Sequence, residues 1–400
     1  MIAPKSVVEL AALIADHDRA RRTVAIEGGN TLHEVGSPST TDTTLSTTAL
    51  NAVVAHEPAD LTVASQAGMT VANFLRRLAE HKQFVPIDAP HLQAATLGGT
   101  LASGWLGPRR HLFGRPRDYV IGSQTVLASG SIVNAGGMVV KNVTGYDMSK
   151  LYIGAFGTLG IFTQLNFKTL PKPSQARVLI ASLPERTASR AAEQIAALDV
   201  RPAAAFCIEG FRTSIDGEDG IDGRIFALFE GSAQLIERAT RDLRSALGKA
   251  GVPQTTIVDS GASESFDRVV DSYIAGIGER SITYRALGLP ESARTRALAL
   301  RDLAHRQQLF TDLLIDLMNG DVILRVSDPN SRTFAGKIED FDEALHTLAP
   351  NAAIICGPSL LRERLSVWGE LPNAIEKMRA LKRQFDPNRT LNPGRYIGNL

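Results

Sequence analysis

The segment Ala95–Arg110, ATLGGTLASGWLGPRR, and its continuation Gly136–Pro173, GGMVVKNVTGYDMSKLYIGAFGTLGIFTQLNFKTLPKP, decide how this chain is read. Both set glycines between apolar runs and helix starts. Few packing needs call for so many residues without a side chain. A bound dinucleotide does, because bare amides wrap a pyrophosphate and a backbone without Cβ lies close against a ring. A further pair, Gly28-Gly29, follows the apolar run Thr23–Ile26 and precedes Asn30-Thr31. Three glycine-rich loops therefore share one part of the chain.

The order of those glycines matters. Gly154-Ala-Phe-Gly157-Thr-Leu-Gly160 has the wrong spacing for the nicotinamide-type fingerprint, and it precedes a strand where that fingerprint follows one. Taken singly it reads as a tight turn. Taken with Gly28-Gly29 and Gly98-Gly99 it reads as part of a cradle: one loop for a pyrophosphate, one covering it at a helix start, one edging a flat ring.

Composition sets the bounds. At 400 residues and 44% hydrophobic there is material for two or three domains. A net charge of +1 gives no global field toward nucleic acid or membrane. Arg19, Arg21 and Arg22 read as the solvated end of a first helix. The 2 cysteines, Cys207 and Cys356, are too few for an iron–sulfur cluster, which needs about four ligands. They also argue against a disulfide framework. The histidines show no metal-ligand spacing, and neither a nucleophile elbow nor a phosphate-binding P-loop is present. With no signal-peptide pattern and no apolar span, the expectation is a soluble cytoplasmic protein without direct membrane insertion.

Along the chain, Ser6-Val7-Val8-Glu9 is a capping box opening a helix to about Asp18. Thr23–Ile26 and Leu61–Ala64 read as strands, and Thr70 caps a helix with Val71, Phe74, Leu75 and Leu78 on one face. The threonine-rich span Ser37–Thr48 reads as loop and edge strand. Thr96–Ser103 begins a short helix, and Tyr119–Leu127 with Ser131–Asn134 form a hairpin. Pro171-Lys172-Pro173 ends the first domain. Beyond it a strand–helix–strand–strand–helix–strand order runs from Arg177 to Val258 and recurs from Arg280 to Ile355. Two such βαββαβ units suggest a pseudo-duplicated α/β sandwich. A last helix, Ile375–Phe385, leads into FDPNRTLNPGRY.

At GPRR, KNVTGYD and FGTLGI the chain strongly resembles the FAD-linked oxidases of the vanillyl-alcohol-oxidase, or PCMH-type, family. Within it the resemblance runs to the FAD-binding E subunits of bacterial glycolate oxidases. It covers the first 173 residues and the tail FDPNRTLNPGRY, which resembles the family's closing segment returning to the flavin domain. The implied fold is α+β: a PCMH-type FAD-binding domain of two α/β subdomains (residues 1–173), a ferredoxin-like α/β cap (174–371) and a returning helix and tail (372–400).

The resemblance implies non-covalent FAD. Gly28, Gly29, Asn30 and Thr31 would meet the pyrophosphate. Thr96, Leu97, Gly98, Gly99, Ala102 and Ser103 would line the diphosphate and ribityl chain, and Gly157, Thr158, Gly160 and Ile161 would lie near the adenine or the flavin edge. Arg109 and Arg110 resemble the family's paired arginines, fit for a phosphate, a substrate carboxylate or a partner surface, or else for a surface salt bridge. Lys141, Asn142, Tyr146 and Asp147 either hold a glycine turn or act directly. One departure stands out: the family's first loop opens with arginine, where this chain has Glu27. A carboxylate there opposes anion binding if it points inward.

Oxidising a 2-hydroxy acid needs a hydride acceptor, a base and a cation for the carboxylate. The HGDGNxH-like segment of catalytic relatives is missing, and His305 and His346 read as ordinary helix residues. The expectation is an FAD-binding subunit of a glycolate oxidase or dehydrogenase, partnered by a second flavoprotein and an iron–sulfur subunit that carries electrons onward, peripheral to a membrane only through those partners. The alternatives are an assembly subunit that has lost FAD, and a self-sufficient oxidase of another hydroxy acid or a sugar. No metal site and no catalytic residue is assigned.

Overall fold

The computed structural model describes residues 1–139, 146–182, 185–211, 223–252, 254–275, 278–329 and 332–400. The chain forms two compact units: Met1–Gly107 with Gly114–Lys172 and Leu371–Leu400, and Pro108–Phe113 with Pro173–Glu370.

The first unit opens with α1 (Val7–Arg19). Ser6 Oγ accepts from the Glu9 amide at 3.1 Å, while the Glu9 carboxylate reaches the Lys5 amide at 2.8 Å, one residue earlier than a standard capping box. Leu10 and Ile14 of α1 pack on a parallel pair, β1 (Val24–Glu27) and β2 (Thr43–Ser46), closing a small core with Leu45, Leu50 and Leu391. The polar span Ser37–Thr48 thus supplies a paired strand with half its side chains buried.

The larger sheet of this unit combines β3 (Val53–Glu57), β4 (Thr62–Gln66), β6 (Val120–Val126), β7 (Ile132–Gly136) and β8 (Ile161–Lys168) in the antiparallel order β3-β4-β8-β6-β7. The short strands β5 (Gln83–Phe84) and β9 (Leu170–Pro171) pair beside it. Helix α2 (Val71–Ala79) is capped by Thr70 Oγ1, which accepts from Asn73 at 3.3 Å, and drives Phe74 against Phe167. Helix α3 (Leu97–Ala102) buries Leu97 and Leu101 in the same core. A one-turn helix α5 (Ser149–Tyr152) precedes the Gly154–Gly160 turn.

The second unit begins inside the first one's sequence, with Pro108–Phe113 and its short helix α4 (Arg110–Phe113). Two repeats follow. The first is β10 (Gln175–Ser182), α6 (Glu185–Ala196), β11 (Ala204–Glu209), β12 (Arg224–Gly231), α7 (Ala233–Lys249) and β13 (Thr256–Val258). After α8 (Ala262–Ser272), which the sequence reading did not contain, come β14 (Ser281–Ala286), α9 (Pro290–Arg306), β15 (Phe310–Asp316), β16 (Val322–Ser327), α10 (Phe334–Leu348), β17 (Ala353–Cys356) and α11 (Ser359–Arg362).

The antiparallel sheet reads β13-β10-β12-β11-β15-β16-β14-β17. Each repeat has the ferredoxin-like order, and the two join through their second strands, β11 and β15, in the register Cys207↔Ile315. One face meets the helices through residues such as Leu179, Cys207, Tyr284 and Leu324, with Leu243, Leu300 and Phe341 opposite. Strand alternation turns Asp312, Asp316, Arg285 and Arg325 to the other face. A last helix of the first unit, α12 (Ile375–Phe385), carries the tail.

Candidate cofactor site

Strand β1 sets the site. Val24 is in the core and Ile26 packs against it, so alternation turns Ala25 and Glu27 the other way, toward a cavity of about 280 Å³. All residues around this cavity belong to the first unit. They include Gly28, Gly29, Asn30 and Thr31 from the first loop. Thr96, Gly98, Gly99, Ala102 and Ser103 come from the second, and Gly157, Gly160 and Ile161 from the third. The three glycine loops of the sequence therefore converge.

Close contact between loops explains part of the glycine content. A Cβ on Gly28 would stand 2.0 Å from Thr96 Oγ1. Gly157 has φ +69°, and a Cβ there would lie 2.7 Å from Asn392 Nδ2. These positions are bare so that the loops fit one another. Ligand approach is then a consequence of which amides remain available.

Those amides are unevenly shared. At the start of α3, Leu97 N–H donates to Met69 O at 2.9 Å, Gly98 N–H to Ala67 O at 2.7 Å, and Gly99 N–H to Thr96 Oγ1 at 3.2 Å. The helix start is saturated by the protein itself. In the first loop, by contrast, no acceptor among the described residues takes the amide hydrogens of Gly28, Gly29, Asn30 or Thr31. Asn30 holds φ +55°, the left-handed conformation asparagine tolerates. Successive amides in such a turn form a concavity for an anion. They are donors this site offers, as are the amides of Gly157 and Gly160, which likewise have no acceptor among the described residues.

The tail fixes the first loop. Arg395 donates to Leu32 O at 3.1 Å and His33 O at 2.9 Å, and Asn392 Oδ1 accepts from Ile26 N–H at 2.8 Å. Asn392 Nδ2 donates to Phe156 O at 2.7 Å, so one side chain joins the first and third loops. Phe156, itself at φ +54°, stacks on Tyr396 with ring centroids 5.3 Å apart. Beneath them Lys382 Nζ donates to Thr158 O, Leu391 O and Asp386, at 2.8, 2.9 and 2.6 Å. Burial draws the Lys382 ammonium below its ordinary value, and Asp386 opposes that. Sequence reasoning named the tail and Thr158 but gave no role to Asn392, Arg395, Tyr396 or Lys382.

Other expected residues lie elsewhere. Leu97 is a core side chain, and Thr158 is buried with its hydroxyl donating to Ala155 O at 2.7 Å. Arg109 is in the second unit, where it meets Glu230 at 2.9 and 3.1 Å; Arg110 meets Asp321 at 2.7 Å. Tyr146 is 93% exposed and Asp147 pairs with Lys150 at 2.8 Å; Lys141 and Asn142 fall outside the described residues. His346 sits 3.5 Å from Asp342, and His305 lies 3.3 Å from the Thr311 hydroxyl.

The second unit has a polar cluster of its own. Arg285 and Arg110 both bind Asp321 and, against its burial, hold that carboxyl below the ordinary range. Asp316 accepts from the Met318 and Asn319 amides at 3.0 Å and from Asn319 Nδ2 at 2.8 Å. Burial, reinforced by the Asp321 charge, pushes it up to about 7. Among the described residues no group of histidine, cysteine and carboxylate side chains could hold a metal, and no helix is long and apolar enough to cross a membrane.

Residues 1–148 match a protein family described as an FAD binding domain. Glycolate oxidase subunit GlcE of Escherichia coli (strain K12) is 33% identical over 180 residues, 45% of this chain and 50% of that protein, so the match spans half of that relative's length. Glycolate oxidase subunit GlcD of Bacillus subtilis (strain 168) is 25% identical over 421 residues, covering 99% of this chain and 88% of the relative. The crystal structure of p-cresol methylhydroxylase with substrate bound aligns with a TM-score of 0.72 at 14% identity, over 98% of this chain and 87% of that one. The likeness covers both units and establishes the PCMH-type fold. The amides of Gly28–Thr31 lie within the residues that match the FAD binding domain.

Proposed function

We propose that this chain is the FAD-binding subunit of an oxidoreductase acting on a small 2-hydroxy acid, with glycolate as the favoured substrate. The observation that carries the reading is the run of amides at Gly28, Gly29, Asn30 and Thr31 that no acceptor among the described residues takes, in a loop lining a cavity walled by two further glycine loops. A diphosphate satisfies such amides without a paired cation. Residues 1–173 and 372–400 hold FAD non-covalently, and 174–371 form the cap. FAD, when bound, supplies two-electron oxidation and release of those electrons to an acceptor.

The residues around that chemistry divide the labour. Asn392 and Arg395 keep the first loop in place, and Thr96 and Gly28 fix its distance from α3. Glycolate oxidase subunits named among the relatives support a multi-subunit assembly. With 2 cysteines the chain ligates no iron–sulfur cluster alone, so onward one-electron transfer falls to a partner. We assign that role to an iron–sulfur subunit and the substrate chemistry to a second flavoprotein.

The test is anaerobic mixing with glycolate. The purified chain carries flavin that stays oxidised with glycolate alone and is reduced once the partner subunits are present. Direct reduction in the isolated chain would instead make it a self-sufficient oxidase. A colourless chain that takes up no added FAD yet assembles with partners would make it a structural subunit.

A further inference from the structure

Among the described residues Glu27 is the one acidic side chain in the wall of the cofactor cavity. It closes β1, immediately before the free amides, on the face of the strand turned from the core. It is half-buried, and among the described residues its carboxylate has no hydrogen-bond or ion-pair partner. Its main-chain carbonyl is held by the Thr47 amide at 2.8 Å and the Thr47 hydroxyl at 3.2 Å, which fixes the strand end. Thr44, opposite Ala25 in the parallel register, continues the same wall.

An unpaired carboxylate beside an anion nest is costly unless the ligand brings donors to it. A carboxylate can only accept, and a diphosphate has no hydrogens to give. The sugar hydroxyls adjoining a diphosphate do. We propose that Glu27 is a specificity residue that accepts hydrogen bonds from the sugar hydroxyls of the bound dinucleotide, so that the site favours a diphosphate flanked by a polyol over a bare anion. The proposal rests on FAD occupying this cavity. The amides draw the diphosphate, while Glu27 rejects simple phosphates that present no hydroxyl.

The experiment titrates FAD and inorganic pyrophosphate separately into the wild-type apoprotein, Glu27→Ala and Glu27→Gln, with a thermal melt of each as a check on folding. Because the carboxylate has no partner among the described residues, the variants are expected to fold as the parent does. Glu27→Ala is expected to weaken FAD binding about tenfold, the loss for a hydrogen bond to a charged acceptor. It is expected to tighten pyrophosphate binding by removing a like charge. Glu27→Gln, a neutral acceptor, falls between for FAD. Unchanged or tighter FAD binding in Glu27→Ala overturns the proposal and leaves the cofactor site standing. Wild-type protein that binds no FAD removes both.

Discussion

Asn392, in the carboxy-terminal tail, donates its side-chain amide to the carbonyl oxygen of Phe156 at 2.7 Å while its Oδ1 takes the Ile26 amide at 2.8 Å. One side chain thus sets the distance between the first glycine loop and the third. Removing it in Asn392→Ala leaves an amide and a carbonyl unpaired, a loss of about 1–3 kcal/mol. Asn392→Asp keeps the bond to Ile26 but turns an acceptor toward Phe156 O, and is expected to be no milder. Thermal melts with and without FAD check both. Wild-type stability in Asn392→Ala would show that the loops hold themselves.

Gly28 and Thr96 form a second coupled pair. Gly28→Ala forces its new methyl into Thr96 Oγ1, whereas Thr96→Ala alone loses the α3 cap, about 1 kcal/mol. The double variant removes the 2.0 Å collision and leaves a 3.1 Å contact with the residue 96 Cβ, so FAD uptake lost in Gly28→Ala is expected to return in part. A double-mutant cycle on FAD affinity reads the coupling. The same logic applies to a bulky side chain at Gly98: it meets Ala67 within the protein, at 2.9 Å, and acts on folding before it reaches a ligand.

Lys382 and Asp386 are a buried pair whose remaining bonds all go to the tail and the Thr158 turn. Lys382→Met strands the Asp386 carboxylate and is expected to cost about 3–5 kcal/mol. Chemical denaturation measures it. A double replacement by apolar residues should recover much of the loss, since the pair's worth lies in mutual compensation.

Asp316 gives the stability of the second unit a pH dependence. Its folded-state value of about 7 lies above the ordinary 3.8, so between those limits the folded chain binds the extra proton. Stability from this group is complete below about pH 4 and declines as pH rises toward 7. Asp316→Asn, which keeps an acceptor for the Met318 and Asn319 amides, should flatten that slope and raise stability at pH 8. Melting curves from pH 5 to 8 decide it; an unchanged slope contradicts the assignment.

The sequence showed what local pattern encodes. Ser6, Thr70 and Thr96 announced their helices because a cap acts within three residues, and the repeated strand–helix rhythm after Pro173 carried the ferredoxin-like halves. Strand β2 was legible as an edge strand within Ser37–Thr48 but without bounds, because its threonines satisfy a parallel neighbour and a cavity wall, not an apolar face. Asn392 and Arg395 were illegible as site residues, since their partners lie more than two hundred positions away and no spacing rule links them. The glycines pointed to the right loops for an incomplete reason: several are bare to admit another loop.

The central claim is that the amides of Gly28–Thr31 receive the FAD diphosphate. A crystal structure of the chain grown with FAD tests it most directly. Phosphate oxygens within about 3 Å of those nitrogens, hydrogen-bond distance, are the predicted result. A diphosphate seated elsewhere, with those amides turned to water, would contradict it.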